Sequence, residues 1–371
     1  VTVLHVAAGN AYGGIERMLV TLGTTPHPAL QQEFVVSFSG RLERELESAS
    51  VRVHRLPAPR ASRPLMVWRA RRAFTALQEK LGAGVVVFHS AWPHAMFAAP
   101  ARASGARIIF WQHQPITRPE WPDRWARFVR PDLAVFNSEF TAARPAFPSV
   151  PGRVIHCPVE EPPALEPDLR DALRLELGAA SGDAVVLMAA RFERWKGHDV
   201  LVRAAAQLSS EHPWRIWIAG AAQTATEQRY ASEVASAVAA LPPQLRQRVT
   251  LLGERSDVPT LMRLADIYCQ PNLKGEPFGM AIAEAMRSHL PSVISGGGGA
   301  VELLDESCGI GVMPGDTAAV ASALHALIGD AQLRTAMGDA AASRAARLTD
   351  PASRVQDLAD VVLGVRCVDV Q

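Results

Sequence analysis

The sequence has little of what would commit it to several common functions. Among its 371 residues are four cysteines. Cys157, Cys269, Cys308 and Cys367 form no C-x-x-C pair and have no histidine cluster beside them, which argues against a zinc site. Charge of one sign is also lacking. Lys and Arg number 38 against 37 Asp and Glu, a formal net charge of +1, so there is no bulk electrostatic case for nucleic acid and none is expected as a partner. No apolar run approaches the ~20 residues of a membrane-spanning helix. The N-terminus lacks the charged and then apolar segments of an export signal. The expectation is a cytoplasmic protein with reduced thiols. A dinucleotide fingerprint is missing too: Gly296 to Gly299 form a run rather than G-x-G-x-x-G, which disfavours an NAD enzyme and reads instead as a flexible turn.

What is present is a globular pattern, with 48% hydrophobic and 20% charged residues, in a chain long enough for two domains. Short apolar runs alternate with helix-like stretches: "VTVLHVAA" (1–8), "FVVSFSG" (34–40), "VVVFHS" (85–90), "RIIFWQH" (107–113) and "LAVFNS" (133–138). Continuously apolar strands in this rhythm predict a parallel sheet covered on both faces. Near residue 157 the texture changes to "CPVEEPPALEPDLRD", whose prolines and acids break regular structure. The rhythm restarts with "AVVLMAAR" (184–191), "RIWIAG" (215–220), "VTLLG" (249–253), "ADIYCQP" (265–271), "PSVISG" (291–296) and "GIGVMP" (309–314). The prediction is an α/β protein of two doubly wound domains, 1–157 and 158–350, with a C-terminal helix over about 351–371 packing back on the first. Open parallel sheets bind ligands beyond their strand C-termini, so a ligand is expected across a cleft between the two.

Two stretches carry chemistry. In "ARFERWKGHDVLV", Arg191 ends a strand and Lys196 follows five residues later, just before Gly197 and a helix. Two cations on such a loop suit a diphosphate, and a solvated loop with incidental cations is the competing reading. In "EPFGMAIAE", Pro277 belongs before or at a helix start, which puts Glu276 on the loop and Glu284 in the helix. Backbone amides near Phe278, Gly279 and Met280 then form a phosphate seat. For the two carboxylates, a metal site is disfavoured because no third ligand clusters with them. A glycosidase pair depends on a separation that sequence does not fix. A solvated helix face is the default for Glu284 alone. Carboxylates that accept hydrogen bonds from sugar hydroxyls fit the neighbouring phosphate seat.

The E-x7-E at Glu276 and Glu284, the R-x4-K-G at Arg191, Lys196 and Gly197, and the early Gly13-Gly14 resemble the retaining glycosyltransferases of family four, which have the GT-B fold. "LLGERSDVPTLMRLADIYCQP" and "SGGGGAVELL", with Glu302, are similar to further family stretches, so the resemblance covers nearly the whole chain. His156-Cys157 departs from the family's usual Asn-Gly after the interdomain strand. The resemblance implies a metal-independent hexosyltransferase without cofactor, whose co-substrate is a nucleotide-diphosphate sugar, UDP- or GDP-hexose. It implies that Glu276 binds donor-sugar hydroxyls and Glu284 the ribose, and that Arg191 and Lys196 neutralise the departing diphosphate. Amides of Phe278, Gly279 and Met280 would hold sugar and phosphate. Leu252, Gly253, Glu254 and Arg255 would border the base, and Gly13 and Gly14 would bring amides to the phosphate. His113 in "WQHQP" would face the donor sugar, with a satisfied buried histidine as the competing reading. His89 and His94 receive no role.

The acceptor side is thinner in signal. Arg52, Arg55, Arg60, Arg63, Arg69, Arg71 and Arg72 occur without an intervening acid, and Trp121, Trp125 and Phe128 interleave with arginines. Peripheral contact with an anionic membrane is one reading and a solvated arginine-rich helix another. A nucleotide-sugar epimerase of the same shape and a non-catalytic sugar-nucleotide-binding module are the alternative functions.

Overall fold

The structure is a computed structural model describing residues 1–10 and 12–364; Cys367 and the end of the expected C-terminal helix lie outside the described residues. The chain divides into two compact units, Val1–Val159 with Thr349–Gln371, and Glu160–Leu348.

In the first unit the strands among the described residues are β1 (Thr2–Ala7), β2 (Gln31–Val36), β3 (Val53–Arg55), β4 (Val85–Phe88), β5 (Arg107–Gln112), β6 (Leu133–Phe136) and β7 (Gly152–Val154). They form one sheet in the order β3-β2-β1-β4-β5-β6-β7, with parallel pairing throughout. All four residues of β4 are buried, as a strand covered on both faces requires. Leu4, Val6, Val86, Phe88 and Ile108 meet Phe74, Met96 and Phe97 in one core. Each such side chain contributes about 1.5 to 3 kcal/mol relative to exposure. The helix Pro351–Leu363 belongs to this unit, where Val361 and Val362 carbonyls accept from Arg107 at 2.8 and 3.0 Å.

In the second unit the strands are β8 (Ala184–Ala189), β9 (Trp214–Ala219), β10 (Val249–Gly253), β11 (Ile267–Gln270), β12 (Ser292–Ser295) and β13 (Gly309–Val312). Their order is β10-β9-β8-β11-β12-β13, again parallel. Every residue of β8 is buried. In each sheet the winding reverses beside its first strand, between β1 and β4 and between β8 and β11. Side chains leaving the C-terminal ends of strands at such a reversal point into a crevice with no crossover helix in it, which is where these sheets bind ligands.

Sequence patterning misses β3 and β7. Both are three-residue edge strands, too short to show an apolar run. Asp266, which begins the segment leading into β11, is a structural residue at the opposite end of the second sheet. It accepts from Arg170 at 3.0 Å, from Arg174 at 3.0 Å and from the Val185 backbone at 2.8 Å.

Candidate functional site

The second unit places a charged centre at its winding reversal. After β8 the chain runs through Arg191 into a short 3-10 turn, Arg194–Lys196, and then Gly197 at φ +79° caps the helix His198–Ala205. A Cβ on Gly197 would lie 1.9 Å from the Pro271 carbonyl oxygen. Only glycine combines that backbone angle with so close a crossing, and the crossing brings the loop after β8 against the loop after β11. The Leu273 amide donates to the Trp195 carbonyl at 2.7 Å, fastening the two loops.

Lys196 Nζ therefore reaches Glu276 Oε2 at 2.6 Å, with their side chains 15% and 12% exposed. Gln270 Nε2 at 2.9 Å and Asn272 Nδ2 at 3.0 Å donate to the same oxygen. Tyr268 donates to Gln270 Oε1 at 2.7 Å, which orients that amide. Burial, reinforced by the charges of Glu276 and Glu284, holds the Tyr268 phenol far above its ordinary pKa and keeps it a donor. All three side-chain donors converge on Oε2. An ion pair this shielded is costly to desolvate and holds together only with such additional hydrogen bonds.

The Glu276 backbone is held from behind. The Gly299 amide donates to its carbonyl at 2.7 Å, and Glu276 and Gly298 form a parallel bridge. A Cβ on Gly298, at φ +79°, would come within 2.3 Å of the Glu276 oxygen. Within the run Gly296 to Gly299, Gly298 and Gly299 thus support the Glu276 backbone. The helix Met280–Arg287 starts with Gly279 at φ +98° as its N-cap. Phe278 is buried, Met280 is the first helical residue, and Glu284 is buried on the helix.

Arg191 does not share a partner with Lys196. It donates to Glu193 at 2.8 Å and to Glu227 at 3.2 Å, its side chain 40% exposed. Glu227 in turn accepts from the Gln223 amide at 2.5 Å, at the start of the helix Ala225–Ala239. Leu252 and Gly253 end β10, and Glu254 is exposed beyond it. Arg255 donates through Nε and Nη2 to the two oxygens of Asp257, at 2.8 and 2.5 Å, a bidentate pair within the loop. Among the described residues, no group of three or more His, Cys, Asp or Glu side chains is placed to hold a metal ion.

The first unit places a neutral centre at its own reversal. His5 on β1, His89 after β4 and His113 after β5 form a chain. His5 Nδ1 lies 2.9 Å from His89 Nε2, and His89 Nδ1 lies 3.3 Å from His113 Nε2. Burial lowers His5 to about 4 and His113 to about 3, and drives His89 well below its ordinary value. Asn137 Nδ2 donates to the His113 carbonyl at 3.0 Å and fixes its backbone. In the same unit, Gly13 caps the helix Gly14–Thr24, and its amide donates to Glu16 Oε2 at 2.9 Å. In this state the Gly13 amide is occupied by a side chain.

Sequence reasoning missed Gln270, Asn272 and Tyr268 around Glu276, although "YCQPN" at the end of an apolar strand placed them at the ligand-binding edge. It also missed His5, a polar residue within the apolar run "VTVLHVAA".

Residues 12–161 match the family described as Glycosyltransferase Family 4, and residues 183–330 that described as Glycosyl transferases group 1. The D-inositol 3-phosphate glycosyltransferase of Nocardia farcinica is 34% identical over 192 residues, 48% of this chain and 40% of that protein. The phosphatidyl-myo-inositol mannosyltransferase of Mycobacterium leprae is 40% identical over 93 residues, 24% of this chain and 25% of that protein. In these alignments the chain spans less than half the length of the curated relatives it matches. The structure of Anabaena HepE in complex with UDP and glucose has a TM-score of 0.85 at 21% identity, covering 98% of this chain and 100% of that one. That of a glycosyltransferase from Rickettsia africae scores 0.84 at 18%, covering 98% and 99%. Two parallel-sheet Rossmann-like units in tandem, the two family matches and these likenesses lead to one statement: the chain is a GT-B-fold protein related to the family-four glycosyltransferases.

Proposed function

We propose that the chain transfers a hexose from a nucleoside-diphosphate sugar to an acceptor hydroxyl, without a metal ion and with retention at the anomeric carbon. The observation that carries the reading is the Glu276 carboxylate, held on one oxygen by Lys196, Gln270 and Asn272 beside the start of the helix Met280–Arg287. So held, it can accept from vicinal sugar hydroxyls. The helix-start amides and the remaining N–H groups of Lys196 and Arg191 meet the diphosphate, and Glu284 meets the ribose. The loop Leu252 to Arg255 borders the base. As the sugar–phosphate bond breaks, negative charge grows on the phosphate oxygens. Cations and amides already aimed there lower the barrier because they bind that charge more strongly than the ground state. The second unit is the donor side and the first the acceptor side. UDP-glucose is the first donor to try, since HepE has been solved with it.

Thermal-shift screening against UDP-, GDP-, ADP- and TDP-sugars, followed by acceptor-free release of nucleotide, tests the reading. Expected are a stabilised melting transition with at least one sugar nucleotide and slow hydrolysis of it. No response to any of the four would overturn it.

We also propose that the first unit docks on anionic lipid. Arg60, Arg63, Arg69 and Arg72 are exposed together with Leu65 and Trp68 on and before the helix Pro64–Leu81, and Trp121, Trp125 and Phe128 are exposed nearby in sequence to one another. The other arginines of that run are held by protein partners: Arg52 and Arg55, though exposed, pair with Glu33 and Glu43, and Arg71 donates to the Met96 carbonyl. Apolar side chains between cations suit a lipid interface. Among the described residues no helix is long and apolar enough to cross a membrane. Co-sedimentation with phosphatidylglycerol vesicles at low salt, lost on Trp68→Glu, is expected. Equal recovery with neutral vesicles would sink the idea.

A further inference from the structure

Arg191 and Lys196 leave the same loop after β8 but are held by different kinds of partner. Arg191 is shared between two carboxylates, Glu193 and Glu227. Lys196 has one carboxylate, Glu276 at 2.6 Å, and one aromatic face. Its Nζ lies 4.0 Å from the centroid of the Trp195 ring, well inside the ~6 Å over which a ring quadrupole attracts a cation.

The contact is not a by-product of adjacency. Successive residues on a helical turn project to different sides, so a lysine meets the ring before it only when its long stem folds back. The turn that carries both residues is pinned from two directions. On one, the Trp195 carbonyl accepts from the Leu273 amide at 2.7 Å. On the other, Arg194 pairs with Glu233 and lies 4.6 Å over the Tyr230 ring, both on the helix Ala225–Ala239. Neither tie involves the Lys196 side chain, so the half-buried Trp195 offers its ring from a backbone that is fixed independently.

The two partners of Lys196 differ in what they leave for a ligand. A carboxylate attracts the ammonium by cancelling its charge, and it takes an N–H. An aromatic face attracts through a quadrupole and has no net charge with which to cancel anything. An ammonium has three N–H groups, and Glu276 takes one. Without the ring, the lysine stem is a flexible carrier of a point charge, and an arriving phosphate would have to order it while competing with Glu276. With the ring, the cation keeps its place while its charge stays available.

We propose that Trp195 is a positioning residue whose indole face holds the Lys196 ammonium, its charge uncancelled, for a phosphate of the donor. The phosphate rests on the nucleotide-sugar reading above; the ring contact does not. Trp195 acts only through Lys196 and meets no reacting atom.

The test compares the wild-type chain with Trp195→Phe, Trp195→Leu and a chain carrying tetrafluorotryptophan in place of Trp195, which keeps the shape of the indole and drains electron density from its face. UDP affinity by calorimetry and acceptor-free release of UDP from UDP-glucose are read on each. The Trp195→Phe variant should keep most of both. In Trp195→Leu and in the fluorinated chain UDP should bind several-fold more weakly and be released about tenfold more slowly, with the melting transition of the fluorinated chain unchanged. Equal UDP affinity in every chain, or a fluorinated chain indistinguishable from wild type, overturns the proposal. A wild-type chain that shows this grading in UDP affinity yet releases none from UDP-glucose removes the transfer reading and leaves the positioning in place. No UDP binding by the wild type overturns both.

Discussion

The two units are built on one plan and place polar side chains at the same topological point, yet they solve the problem of burying them in opposite ways. The second sheet gathers ions: Lys196 and Glu276 are pulled together by the Gly197 crossing and padded by amides. The first gathers neutral rings whose nitrogens meet in a line. An ion pair is a charge-balanced device whose failure leaves a partner charge stranded. A line of neutral rings holds no charge and fails by gaining one. The difference predicts that the second centre is fragile to substitution and the first to acid.

The largest effect should come from Glu276→Gln. It strands Lys196 and inserts amide donors among donors, so turnover should fall about 10³-fold and stability by about 2 kcal/mol, less than the figure for full burial because both groups retain some solvent. Steady-state kinetics and urea denaturation check it; full activity would show that the charge at Glu276 does not matter. Next in size is Gly298→Ala. Its Cβ must displace the Glu276 backbone at a positive φ, which should cost about 2 kcal/mol or more and weaken sugar-nucleotide binding by at least tenfold, whereas Gly311→Ala, with open space around it, serves as the control.

Acidification should then separate the units. His5, His94 and His113 in the first unit are lowered by burial to about 4, 3 and 3, against His198 at about 4 in the second. An unfolded ring takes a proton below about pH 6.5, while the folded ring resists until its own lower value. The unfolded state therefore binds more protons across that window, and stability is lost as pH falls from about 6.5 toward 4, by about 1.4 kcal/mol per ring per pH unit at most. Hydrogen exchange at pH 7.5 and 5 should show protection lost first in β1, β4 and β5. Equal loss in β8 and β11 would erase the contrast. The smallest effect on stability is expected for Arg191→Ala, within about 1 kcal/mol, because its pairs with Glu193 and Glu227 are partly solvated; a melting curve against wild type decides.

Legibility in the sequence followed the same divide. The continuous apolar runs revealed eleven strands because burial on both faces leaves little room for polar residues, as in β4 and β8. Three-residue edges such as Val53–Arg55 carry too few side chains for a pattern. In the second unit, Arg191, Lys196, Glu276 and Glu284 stood out because charges at fixed spacing are rare in such runs. Their partners were not legible: that Lys196 meets Glu276 while Arg191 meets Glu227 depends on a loop crossing at Gly197 that no local pattern encodes. The first unit's centre was harder still. His5 lies on β1, and His89 and His113 lie just after β4 and β5, and only the sheet order, which sets β4 between β1 and β5, makes them neighbours.

The Lys196 and Glu276 contact has a consequence for synthesis. Its partners are 80 positions apart in the chain, and the Glu276 backbone is held by Gly298 and Gly299, later still. Contacts this distant in sequence close late, after the intervening strands have paired. A growing chain thus exposes a lone lysine, and then a lysine with a loosely tethered glutamate, before about three hundred residues are available to complete the support. Any fragment ending before Gly298 should fold much of its sheet and still be unable to grip a sugar.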